Sequence, residues 1–185
     1  MNPQALGRAT KTLIGHGIVA YPTEYCYGLG CDPMDRNAVQ RILQMKKRSW
    51  TEGLIVIVAD FRQLAGLIDI SRSDILRQPL LSWPGPHTWL MPALPRTPKW
   101  LCGDNDTIAV RIPGHPIARA LCRKIRSPIV STSANRSGRP PLRTFHQISA
   151  EFSDEVDFIL KGFIGNATEP SSIRDVMSGK WIRGN

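Results

Sequence analysis

Leu54-Ile55-Val56-Ile57-Val58-Ala59 is the longest purely aliphatic run in the chain, six residues with no alternation of polar and apolar positions. A short run rich in Ile and Val is the composition of a strand buried on both faces. It falls far short of the ~20 apolar residues that a membrane-spanning helix needs, so it predicts a core strand and no transmembrane helix. Downstream, Asp60 starts a short helix. A further helix over 73–82 is stopped by Trp83-Pro84-Gly85-Pro86. His87 to Met91 and Thr107 to Ile112 read as strands. His115-Pro116 opens a helix through Ile125, with Ile117, Leu121, Cys122 and Ile125 inward. Pro128 to Ser131 is a strand followed by a polar loop through Leu142. Thr144 caps a helix to about residue 152. A strand over 156–160 follows, then a hairpin of 172–177 and 180–183 joined by Ser178-Gly179. Upstream, Asn2-Pro3 is an N-cap with proline at the first helical position. Leu6, Ala9, Leu13 and Ile14 keep helical spacing until Gly15 and Gly17. Ile18 to Tyr21 is a strand, and Tyr27 to Cys31 another, weakened by its glycines. Asp35 caps a helix with an apolar stripe of Ala38, Val39, Ile42, Leu43 and Met45. Strands and helices interleave throughout, which predicts an α/β fold on a mixed sheet.

The chain has 185 residues, 42% hydrophobic and 21% charged. That is the size of one domain at roughly 100–200 residues per domain, long enough to bury a core without staples. Cys26, Cys31, Cys102 and Cys122 form no C-x-x-C pair, and His16, His87, His115 and His146 are scattered, so neither a zinc site nor a disulfide framework is expected. The start, Met1-Asn2-Pro3-Gln4, has no basic-then-apolar signal pattern, and a cytoplasmic protein is the expectation. The net charge of +9 and pI near 9.9 suit anionic partners, whether nucleic acid or a small phosphorylated ligand.

Four polar segments stand at element ends: Tyr21-Pro22-Thr23-Glu24; Lys46-Lys47-Arg48-Ser49; Thr107 to Arg111; and Ser131-Thr132-Ser133-Ala134-Asn135-Arg136-Ser137-Gly138. Each also has a plain structural reading. Thr23 and Glu24 suit a turn, Lys46 to Arg48 complement a helix C-terminus, and the Ser/Thr/Asn run can satisfy its own backbone. Arg111 is harder to dismiss. A cation among Ile108, Val110 and Ile112 on a central strand needs a partner or a cleft. Walker A, G-x-G-x-x-G, G-x-S-x-G and H-E-x-x-H motifs are all missing from the sequence. Cations and hydroxyls remain, equipment for holding anions and stabilising phosphoryl or acyl-phosphate charge.

In order, these segments resemble the threonylcarbamoyl-AMP synthases, the YrdC-type family. Residues 18–24 followed by Tyr27-Gly28-Leu29-Gly30-Cys31-Asp32 are similar to its opening signature. Lys46-x-Arg48 is similar to its K-x-R motif and Trp83-Pro84-Gly85-Pro86-x-Thr88 to its W-P-G-x-x-T turn. Ala109-Val110-Arg111-Ile112-Pro113-x-His115-Pro116, the 131–138 run, and Pro170-Ser171-Ser172-Ile173-Arg174-Asp175 with Trp181-Ile182-Arg183 complete the match. The resemblance implies one YrdC-like domain over 1–185, a twisted mixed sheet flanked by helices with a basic concave cleft. It implies a reaction joining L-threonine, bicarbonate and ATP into threonylcarbamoyl-adenylate and pyrophosphate, for threonylcarbamoyladenosine at tRNA position 37. ATP is a substrate, Mg2+ accompanies the triphosphate, and the chain itself supplies no metal site. tRNA or double-stranded RNA, and downstream threonylcarbamoyl transferase proteins, are the implied partners; no membrane is.

By resemblance, Lys46 and Arg48 are the catalytic cations that meet the phosphates or the carbamate. Thr23, Arg111, Ser131 and Ser171 take the threonine, Arg111 through its carboxylate. Thr107, Ser133, Asn135 and Arg183 take the nucleotide. The chain departs from the pattern at Ser49, where many members have proline, at Glu52 and Ile57, where many have asparagine and histidine, at Pro141, and at Cys26. Two other readings stand beside this one: a double-stranded RNA or tRNA-binding module without adenylate synthesis, and a carbamoyl-adenylate-forming domain of the hydrogenase-maturation kind.

Overall fold

In the computed structural model, which describes residues 2–184, the aliphatic run supplies β3 (Ile55–Ile57), the middle strand of a nine-stranded sheet. The other strands are β1 (Val19–Pro22), β2 (Tyr27–Gly30), β4 (His87–Pro92), β5 (Thr107–Arg111), β6 (Ile129–Ser133), β7 (Phe158–Ile159), β8 (Ser172–Asp175) and β9 (Trp181–Arg183). The order across the sheet is β7-β1-β2-β6-β3-β5-β4-β8-β9. β1/β7, β3/β5 and β4/β8 pair parallel and the other neighbours antiparallel, so the sheet is mixed.

The helices are α1 (Pro3–Ile14), α2 (Arg36–Lys46), α3 (Ser73–Ser82), α4 (Lys99–Cys102), α5 (Pro116–Ile125) and α6 (Phe145–Phe152). Their starts follow local chemistry. Asn2 Oδ1 accepts from the Gln4 and Ala5 amides and Asp35 Oδ1 from Asn37 and Ala38, while Thr144 and Gln147 close a capping box. Each such cap is worth about 1 kcal/mol. Among the described residues no helix is long and apolar enough to cross a membrane.

The two sheet faces are covered unequally. On one, Val56, Ile108, Val110, Val130, Leu29 and Ala20 pack under α2, α3 and α6. On the other, α1 and α5 cover only Val19, Tyr21, Ile57 and Ile129. The rest of that second face is open, and most of the candidate residues lie there. Gly30 belongs to its closely packed part. A Cβ at Gly30 would lie 2.5 Å from Val130 O and 2.8 Å from the Tyr21 ring, so this glycine, which weakens β2 as a strand, is what lets its neighbours close up.

Several elements differ from the sequence reading. The 54–59 run is not buried throughout: Ile55 is half-buried because its side of the sheet has no helix over it. Ile14 ends α1 at the surface, 63% exposed. In α5, Ala118 is buried while Ile117 and Ile125 are only partly so. The helix after Asp60 is a single 3-10 turn, Phe61–Leu64. The 156–160 strand shrinks to β7, because the Asp157 carboxylate takes the Ile18 amide at 2.6 Å in place of a ladder partner. The β8–β9 connection runs from Val176 to Lys180, held by Asp175 Oδ1 accepting from Met177 and Ser178, so it is longer than a two-residue turn. A 3-10 turn at Trp50–Glu52 and the short α4 had no periodicity to announce them. All four cysteines are free and buried.

Candidate active site

A cleft of about 520 Å³ occupies the uncovered part of the sheet. Strand alternation builds its floor. On β5, Ile108 and Val110 go into the core while Thr107, Ala109 and Arg111 face the cleft. On β6, Val130 goes inward while Ser131 and Ser133 face the cleft. Ile55 pairs with Ser131 on one side and Ala109 on the other, and Ala109 pairs with Leu90, making a band of small and apolar side chains across four strands.

Three guanidinium groups, Arg48, Arg111 and Arg183, rim this floor. Arg111 donates from Nε to Gly85 O at 2.9 Å, and its Nη2 lies 2.5 Å from Glu24 Oε1. Arg48 donates from Nη2 to Gly53 O at 3.0 Å and sits 3.3 Å from Glu52. Arg183, at the far edge, donates to both Ser171 O and Ser171 Oγ, at 3.0 and 3.2 Å. Burial, then the positive charges of Arg48 and Arg111, lower the pKa of Arg183. Like charges held this way in a half-buried cleft favour an anion between them. Arg136 makes the contrast. It is paired with Glu151 and Glu155, which raise its pKa, and it stacks on Phe152 outside the cleft.

Hydroxyls stand between the cations. Thr23 Oγ1 donates to Cys26 O at 2.8 Å, which leaves its lone pairs for a ligand donor. Ser171 Oγ and Thr88 Oγ1 are 2.9 Å apart. Ser133 Oγ donates to Asn135 Oδ1 at 2.8 Å.

Of the ten residues the sequence nominated, Thr23, Arg48, Thr107, Arg111, Ser131, Ser133, Ser171 and Arg183 all line this one cleft. Lys46 and Asn135 stand behind its wall instead. Lys46 is 5% exposed, and its Nζ donates to Ser133 O, Asn135 O and Asn135 Oδ1 at 2.6, 3.1 and 2.8 Å. Asn135 Nδ2 donates to Arg136 O and Arg139 O. Both tie down the loop that presents Ser133. Burial, then Arg48, lowers the Lys46 ammonium to about 8. Sequence reasoning named no role for Glu24 or Thr88, although both sit inside quoted motifs. An acidic residue in a basic protein's turn, and a threonine within an apolar strand, were the available signals. The departures Cys26, Glu52, Ile57 and Pro141 line the cleft too. Burial raises the Cys26 thiol to about 11, so it is not a thiolate at neutral pH.

Fold and site together define an α/β protein with one half-open sheet face, on which cations and hydroxyls converge around an apolar floor. The Sua5/YciO/YrdC family model, described as "Telomere recombination", matches residues 11–183. The chain belongs to this family. It is 47% identical over 176 residues to threonylcarbamoyl-AMP synthase of Nitrosococcus oceani, covering 95% of each chain. It is 42% identical over 184 residues to threonylcarbamoyl-AMP synthase of Yersinia enterocolitica, covering 98% of this chain and 96% of that one. Among solved structures, P. abyssi Sua5 complexed with L-threonine superimposes with a TM-score of 0.85 at 34% identity, over 92% of this chain and 50% of that one. The chain thus spans nearly the whole of the two synthases and half of the Sua5 chain.

Proposed function

We propose that this chain is a threonylcarbamoyl-AMP synthase, a nucleotidyltransferase that uses ATP. The observation that carries the proposal is the convergence of Thr23, Arg48, Arg111, Ser131, Ser133, Ser171 and Arg183 on a single cleft, in a chain alike over nearly its full length to proteins of that name.

The chemistry suits the residues. Threonine's ammonium group gives up a proton, and the free amine and bicarbonate then give the carbamate and water. A carbamate oxygen then attacks the α-phosphorus, the bond from that phosphorus to the bridging oxygen breaks, and pyrophosphate leaves. Carboxylate, carbamate and triphosphate are all anions, so bringing them together is the main barrier, and fixed cations lower it by alignment and charge stabilisation. The step needs no protein nucleophile. Arg111 takes the threonine carboxylate with its planar fork, with Thr23, Ser131 and Ser171 around the amino acid. Arg48 and Arg183 face the phosphates, with Thr107 and Ser133 along the nucleotide. Lys46 acts through the Ser133–Asn135 loop that it anchors, not by touching the reactants. Mg2+ arrives on the triphosphate as part of the substrate. The adenylate is then consumed by a threonylcarbamoyl transferase acting on tRNA.

Pyrophosphate release from ATP and bicarbonate, with and without L-threonine, tests this. Threonine-dependent release, with threonylcarbamoyl-adenylate found by mass spectrometry, is the expected result. Folded, ATP-binding protein that releases none with threonine would refute it. One observation bears on RNA affinity. A groove of about 680 Å³ beside the cleft collects Arg36, Lys47 and Lys99 with the exposed Trp50, while Trp100 in its wall packs against the core and donates to Pro33 O; it offers RNA a set of cations and one free aromatic face. RNA affinity is compatible with synthesis, so the pyrophosphate assay separates the two readings and an RNA titration alone does not.

A further inference from the structure

We propose that Glu24 is a positioning residue that sets the orientation of Arg111 for the carboxylate of the amino-acid substrate; this rests on the synthase reading above. Arg111 is held on two sides. Its Nε donates to Gly85 O, and its Nη2 meets Glu24 Oε1. Nη1 makes no hydrogen bond among the described residues, and the side chain lines the cleft. The guanidinium therefore has one side fixed and donors left for an incoming carboxylate, which a guanidinium can take bidentately.

The Glu24 carboxylate is itself located independently of Arg111. Its Oε1 accepts the Gly114 amide at 2.7 Å, which ties the β1–β2 turn to the β5–α5 turn. Its backbone oxygen accepts from Ala167, and the preceding Thr23 oxygen accepts from Gly165. Gly165 is packed against it so closely that a Cβ there would lie 2.9 Å from Glu24 Cα. Gly85, the second anchor of Arg111, is fixed in turn by its amide bonding to Ile112 O at 2.9 Å.

Stability does not account for this arrangement. Side chains of Arg111 and Glu24 are only 12% and 15% exposed. Desolvating such a pair costs about what its attraction returns. Glu24 also leaves Oε2 buried without a partner, which adds to the cost. What the pair does supply is direction. Anchored at Gly85 O and Glu24, a long and flexible arginine has less freedom left to lose when substrate binds.

The test is threonine-dependent pyrophosphate release, with KM measured separately for threonine and ATP, alongside threonine binding by calorimetry. Glu24→Ala should raise the threonine KM and Kd tenfold or more and leave the ATP KM within twofold. Glu24→Gln keeps an acceptor for Gly114 and Arg111, and should recover most of the loss. On an Arg111→Ala background, Glu24→Ala should add less than twofold, because residues acting as one unit are not additive. Equal rises in both KM values, a full additional tenfold loss in the double variant, or an unchanged threonine Kd in Glu24→Ala would each overturn the positioning role. The failure of the synthase reading looks different: wild type itself would show no threonine-dependent release.

Discussion

Replacing Lys46 with methionine keeps the side chain's length and apolar stem and removes three donors. Those donors hold Ser133 O, Asn135 O and Asn135 Oδ1. Two of the acceptors keep other partners, since the Asn135 amide also bonds to Ser133 O and Ser133 Oγ also donates to Asn135 Oδ1. Hydrogen bonds from a charged donor contribute about 1.5–3 kcal/mol each. Relief from burying an ammonium offsets much of that sum. A net destabilisation of about 2 kcal/mol follows, which for a chain of this size lowers Tm by about 4–8 °C. The loop should loosen with it, because Ser137 also bonds to the Lys46 carbonyl and Arg136 to Met45 O. Thermal unfolding followed by circular dichroism measures the first effect, and hydrogen exchange at the Asn135 and Ser137 amides the second. Nucleotide affinity should fall along with them. A fully stable, normally protected Lys46→Met protein that makes no product would refute the anchoring role and put Lys46 in contact with the reactants.

Three further outcomes follow from the same structure. Gly103 has φ +68°, and a Cβ there would lie 2.1 Å from Thr51 O, so Gly103→Ala must push aside the turn that carries Glu52 and Gly53 onto Arg48; a loss of about 3 kcal/mol is expected. Gly7, inside α1 with nothing within 4 Å of a Cβ, should respond oppositely, Gly7→Ala gaining about 0.5–1 kcal/mol; paired chemical denaturation curves check both signs. The Lys46 ammonium, lowered from 10.5 to about 8, sheds its proton in the folded state before the unfolded chain does, so this group's contribution to unfolding free energy rises with pH between about 8 and 10.5. Lys46→Met should flatten the pH dependence in that window, and a slope identical to wild type would count against the lowered value.

Much of the fold was legible because it is local. Asn2, Asp35 and Thr144 announce their helices through side-chain oxygens a few residues from the amides they cap. Arg111 announced a cleft because a cation cannot sit in an apolar strand unpartnered. Other features needed partners distant in sequence. The 54–59 run has no alternation, since both of its faces are apolar, so it hides that Ile55 looks into open space. Lys46 carried a signal that went unused. It lies four residues after Ile42, on the helix's buried stripe, and a lysine there must find buried acceptors. They come from 87 and 89 residues away along the chain, beyond the reach of spacing arguments. Glu24 likewise becomes meaningful only when folding brings Gly114 to it, 90 residues on.

The position of the cleft follows from side-chain size on one sheet face. Where that face carries Val19, Tyr21, Ile57 and Ile129, burial under α1 and α5 stabilises the fold by about 1.5–3 kcal/mol per large side chain. Along the same face the residues then become Gly28, Ala109, Ser131 and Ser133, which offer little apolar area to a covering helix. No helix gains enough by lying there, so the floor stays open. An open floor lets arginines from β5, β9 and the turn after α2 point into one cleft. Their charge is only partly answered, by Glu24 and Glu52. A fourth guanidinium, fully answered by Glu151 and Glu155, stands outside. Substituting Ser131 or Ala109 with leucine would therefore act on function before stability: it would fill the floor and extend the apolar face toward closure, while the core on the opposite side kept its packing.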